Sequence, residues 1–140
     1  SSEKEIRTII EKNRQIVNPF VQITGLLTSC RESVKTNLAD FDDLFLTIEF
    51  MGYNYNRQNA LLSFVNSGEI DLHSVQTFFR EMSLADQNML TRIDKAWRRG
   101  RYGNPKDKQY MWSFYLVSDY SKHLSENPSE FLKIVQKFEK

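Results

Sequence analysis

Apolar positions recur along this chain with a helical period almost from end to end. Stepping in sevens from Ile6 meets Asn13, Phe20, Leu27 and Val34, and stepping from Ile9 meets Ile16, Ile23, Cys30 and Asn37. These are the a and d positions of a heptad sustained over residues 6–37. Ile10 and Val17 fall at e and widen the stripe beyond a two-stranded seam, which favours packing within the chain's own domain. A homo-oligomer through residues 6–37 is the competing expectation, because an Asn at one a position is a device that specifies oligomer state. Pro19 lacks a backbone donor and its ring crowds the preceding turn. Asn18-Pro19 also reads as an N-cap followed by the first helical residue. The pattern therefore predicts two helices, at about 3–17 and 19–36, or one long kinked rod.

Asp40 caps the next stripe, Phe41, Leu44, Phe45, Ile48 and Met51. The run Gly52-Tyr53-Asn54-Tyr55-Asn56 forms helix poorly and is expected to interrupt it. The pattern resumes from Arg57 to Val65 and stops at Asn66-Ser67-Gly68. Asp71 caps a segment that turns Leu72, Val75, Phe78, Phe79 and Met82 inward. Ser83 with Asp86 is close to a capping box and is expected to start a further helix, carrying Leu84, Met89, Leu90, Ile93 and Trp97 and ending at Arg99-Gly100. Asn104-Pro105 and Asn127-Pro128 open the last two helices. No period-two strand and no internal repeat is found. The expected architecture is all-α: a compact bundle of six to eight helices with a long or kinked N-terminal helix, forming one helical domain over residues 1–140. The chain opens Ser1-Ser2-Glu3-Lys4 without a methionine, as a processed chain or an excised part of a longer protein would.

Composition supports this picture. A chain of 140 residues suits one domain, and 40% hydrophobic with 26% charged residues argues against disorder. The single Cys30 excludes an internal disulfide framework and fits a reducing compartment, so an intracellular, cytoplasmic setting is expected. At a heptad d position it is expected to be a small buried thiol. The sequence has no apolar run of spanning length, so no transmembrane segment is expected.

Candidate chemistry is sparse. His73 and His123 lie far apart and there is no HxxxH or CxxC, so no metal pattern arises and no cofactor is expected. Phosphate-loop motifs are missing. Asp42, Asp43 and Glu49 could pair as carboxylates, but acidic groups in the first turns of a helix simply suit its dipole. No nucleophile and base can be matched, so the chain reads as a non-enzyme.

Charge is where the sequence is uneven. Residues 37–91 hold two Lys/Arg against eight Asp/Glu, whereas residues 92–108 hold seven against two, in a chain of net charge +1. On a helix Arg92, Lys95 and Arg99 share one face, and Arg98 extends it. Arg101, Lys106 and Lys108 continue the basic run beside Tyr102, Tyr110 and Trp112. The expected function is a non-catalytic protein-interaction or assembly domain whose partner presents an acidic surface to Arg92, Lys95, Arg98, Arg99, Arg101, Tyr102, Lys106, Lys108 and Trp112. The alternative is a nucleic-acid-binding helical domain that uses the same basic residues on phosphates.

Overall fold

A computed structural model describes residues 3–97 and 112–138. Among these residues the chain forms five α-helices and one 3₁₀ turn. They are α1 (Glu3–Cys30), the turn (Arg31–Ser33), α2 (Leu38–Asn66), α3 (Leu72–Trp97), α4 (Trp112–Glu126) and α5 (Pro128–Phe138). The all-helical expectation holds. The helix number is lower than six to eight because three expected breaks do not occur.

The first is Pro19, which lies inside a continuous α1, so of the two alternatives the single long helix is the one found. Gln15, whose carbonyl loses its donor, and Pro19 itself are both exposed, so water can satisfy the orphaned group. The second is Gly52-Tyr53-Asn54-Tyr55-Asn56, which continues α2. Here tertiary packing overrides weak propensity: Gly52 is buried where α1 crosses closely, and a Cβ built on it would stand 3.8 Å from that of Phe20. The third is Ser83 with Asp86. Both lie within α3 and are buried, so Asp86 is no capping residue.

Other boundaries follow local chemistry. The helix expected to start at Asp40 opens at Leu38, after Asn37 in the left-handed region at φ 55°. Gly68, at φ 73°, turns the chain after α2. Asp71 caps α3 reciprocally: the Ser74 amide donates to Asp71 Oδ1 at 2.8 Å, and the Asp71 amide donates to Ser74 Oγ at 2.9 Å. Asn127 precedes Pro128 at the first position of α5, as expected. The Asn104-Pro105 boundary and the Arg99-Gly100 helix end lie outside the described residues.

Helices α1 and α2 form an antiparallel hairpin. Arg31 meets Asp42 at its closed end, Phe20 meets Gly52, and Asn13 meets Gln58 and Asn59 toward its open end. Helix α3 packs on α2, and α4 and α5 pack on α3. The core lies in two clusters. One gathers Leu46, Met89, Leu90, Ile93 and Phe114 across α2, α3 and α4. The other gathers Val75, Phe79, Met82, Leu124 and Phe131 across α3, α4 and α5. Aromatic rings hold the second together, with Phe79 edge-on to Phe131 at 4.9 Å between centroids.

Candidate functional site

Between the two apolar clusters sits a buried polar group that no sequence pattern announced. Asp86 on α3 is fully buried. Arg57 on α2 grips it with Nε at 3.0 Å from Oδ1 and Nη2 at 3.0 Å from Oδ2, and Nη2 also donates to Ser121 Oγ on α4 at 2.6 Å. Tyr53, one turn before Arg57, donates its hydroxyl to Asp86 Oδ1. Burial, then the bond to Asp86, raises the Tyr53 pKa well above the ordinary phenol value. Both Asp86 oxygens, the Tyr53 hydroxyl and two of the three Arg57 nitrogens bond within the chain. The group therefore registers α2, α3 and α4 against each other. In the sequence, Arg57 and Asp86 are one Arg and one Asp 29 positions apart, and no local signal links them.

A cleft of 930 Å³ opens where the closed end of the hairpin meets the C-terminal part of α3. Its walls carry Asp40, Asp42, Asp43 and Glu49 together with Arg31, Arg92 and Lys95. Two ion pairs cross it. Arg31 holds Asp42 in a two-pronged pair at 3.0 and 2.9 Å, and Arg92 holds Glu49 at 2.9 and 3.0 Å. The hydrogen bonds that Arg31 donates lower the Asp42 pKa, and those that Arg92 donates to Glu49 raise the Arg92 pKa.

The residues of the expected basic surface are thus divided. Arg92 and Lys95 line the cleft, with Arg92 paired to Glu49. Arg98, Arg99, Arg101, Tyr102, Lys106 and Lys108 lie outside the described residues. So does the side chain of Trp112, whose backbone opens α4. Tyr53 and Tyr55 are half-buried, while Tyr120 is exposed; Tyr110 lies outside the described residues. Both histidines are exposed, and His123 Nε2 bonds Glu130 at 2.8 Å. Among the described residues no cluster of His, Cys, Asp and Glu is placed to hold a metal ion. Nor is any helix among them long and apolar enough to cross a membrane.

The N-terminal heptad folds differently from its a/d reading. The buried seam of α1 comprises Ile6 and Asn13 at a with Ile10 and Val17 at e. One antiparallel partner covers a narrow arc, and a and e lie only about 40° apart, whereas d lies about 60° to the other side of a. Ile9, Ile16 and Ile23 therefore stand on the rim, each 40–41% exposed. Cys30, at the next d position, is also exposed, against the expectation of a buried thiol. Asn13 is spent inside the hairpin, donating to Gln58 Oε1 at 2.7 Å and Asn59 Oδ1 at 2.8 Å. On α2, Leu44 and Met51 are 51% and 44% exposed.

These features define an all-helical bundle with a locked polar core and an apolar hairpin rim. Comparison with protein-family models, with curated proteins and with solved structures gives no match.

Proposed function

We propose that this chain is a non-catalytic helical interaction module that works through the outer face of the α1–α2 hairpin. One observation carries the reading: Ile9, Ile16 and Ile23 repeat at heptad spacing on an exposed line of α1, and Leu44 and Met51 of α2 are exposed as well. Contiguous apolar surface costs solubility, and its usual role is contact with another macromolecule. The buried polar group supports this class over an enzyme, since its members bond one another across three helices.

The basic end contributes less than its sequence suggests. Arg92 is committed to Glu49, and Lys95 has contacts within the chain. Four cleft carboxylates around them oppose the approach of phosphates, which weighs against the nucleic-acid alternative at that end. An acidic protein surface meets the same opposition there.

The test is the triple variant Ile9→Glu, Ile16→Glu, Ile23→Glu. Its helical circular dichroism and cooperative thermal unfolding should persist, because these side chains lie outside the seam. Loss of the cooperative transition would put the stripe in the domain's own core and overturn the reading.

A further inference from the structure

The exposed stripes of the two hairpin helices lie on one side of the hairpin. At 100° per residue, Ile9, Ile16, Ile23 and half-buried Leu27 are displaced from the α1 seam toward lower angle. Exposed Leu44 and Met51 are displaced from Gly52 of the α2 seam in the same sense, and half-buried Tyr55 and Leu62 lie at the edge of that seam. In an antiparallel pair, equal displacement in that sense brings both stripes to the same face. The hairpin register set by Arg31 with Asp42, Phe20 with Gly52, and Asn13 with Asn59 also fixes their heights. Ile9 stands level with Leu62, Ile16 with Tyr55, Ile23 with Met51 and Leu27 with Leu44, each within about two residues, or ~3 Å.

That matching makes the face complementary to itself. We propose that a second copy of this chain covers it, turned over by a two-fold axis parallel to the helices, so that α1 of each protomer lies antiparallel on α2 of its partner. Ile9 then meets the partner's Leu62, Ile16 the partner's Tyr55, Ile23 the partner's Met51, and Leu27 the partner's Leu44. The product is a four-helix bundle with every neighbouring pair antiparallel, an arrangement that packs knobs into holes. The size fits. A 28-residue helix is about 42 Å long and two helices are about 20 Å wide, so the face offers roughly 800 Å² per protomer, which is what a stable dimer needs. At the rim Lys12 comes level with the partner's uncharged Gln58.

This inference rests on the interaction reading, and its test separates the two. Sedimentation of the full chain from 1 to 100 µM should give twice the 16.6 kDa mass, and Ile16→Asp or Met51→Asp should give the monomer with unchanged helical dichroism. A spin label on the exposed native Cys30, at the end of the d line, reports geometry without substituting any of the stripe's apolar residues. The proposed axis sets both labels at one end, about 20 Å apart, whereas a dimer pairing α1 antiparallel with the partner's α1 separates them by about 40 Å. A chain that stays monomeric at 100 µM, a dimer indifferent to both substitutions, or the longer label distance each overturns the proposal. A monomeric chain whose triple glutamate variant still folds loses the second copy and keeps the interaction reading. A triple variant without cooperative unfolding removes the interaction reading, and the wild-type mass and label distance still decide the dimer.

Discussion

Removing Asp86 tests how far this fold depends on its buried ion pair. The side chain is 0% exposed and carries the contacts to Arg57 and Tyr53; Arg57 itself is only 15% exposed. Asp86→Ala leaves a guanidinium without its counter-charge between two apolar clusters. Breaking a buried pair from one side in this way costs about 3–5 kcal/mol. A domain of this size has roughly 5–15 kcal/mol in total, so the loss is a large fraction of it. With a urea slope near 2 kcal/mol/M, the midpoint should fall by about 2 M at constant slope. The double variant Arg57→Met, Asp86→Leu should behave otherwise. It removes both charges together, keeps comparable volume, and should unfold within about 1 kcal/mol of the wild type or above it. The contrast between single and double variants is the measurement, because it separates the orphaned charge from the lost volume. Equilibrium urea unfolding followed by helical dichroism suffices. A midpoint shift below about 0.5 M for Asp86→Ala, or a double variant as unstable as the single, refutes the argument that the pair is held by burial.

Three further outcomes follow from the same geometry. Gly52→Ala should stabilise by about 0.5–1 kcal/mol in urea unfolding, because the new methyl meets Phe20 at an ordinary contact distance of 3.8 Å and the helix loses a glycine; destabilisation would mean that α1 and α2 cannot spare the space. Tyr53 has a folded pKa above its unfolded value, through burial first and the Asp86 bond second. Its contribution is complete below about pH 10 and is lost as pH rises further, so Tyr53→Phe should cost about 1–2 kcal/mol at neutral pH and flatten the alkaline decline in Tm. Asp71 has a folded pKa below its unfolded value, chiefly through the Ser74 amide; its contribution is present above about pH 4 and lost below it, so Asp71→Ala should lower Tm at pH 7 and leave it almost unchanged at pH 3.

Much of the secondary structure is legible in the residues because helix period and end signals are local. The heptad from Ile6, the Asn66-Ser67-Gly68 stop, the Asp71 cap and the Asn127-Pro128 start all act within one or two turns. The three false breaks share one cause. Pro19, Gly52 and Ser83 with Asp86 are weak or ambiguous locally, and what decides each lies outside the local pattern: solvent exposure at Gln15, Phe20 against Gly52, and Arg57 against Asp86.

The candidate surfaces divide in the same way. Sequence alone determined that the chain is helical, that α1 has a wide apolar stripe, and that basic residues cluster after residue 91. It could not rank a, d and e, since all three are apolar and only the arc covered by one antiparallel partner turns a and e inward and leaves Ile9, Ile16 and Ile23 at the rim. Nor could it show that Arg92 faces Glu49, 43 positions away, or that Arg57 and Asp86 meet in the core. Periodicity records which side of a helix is apolar. Tertiary structure decides how much of that side a neighbour covers, because coverage depends on the number, direction and distance of the helices packed against it.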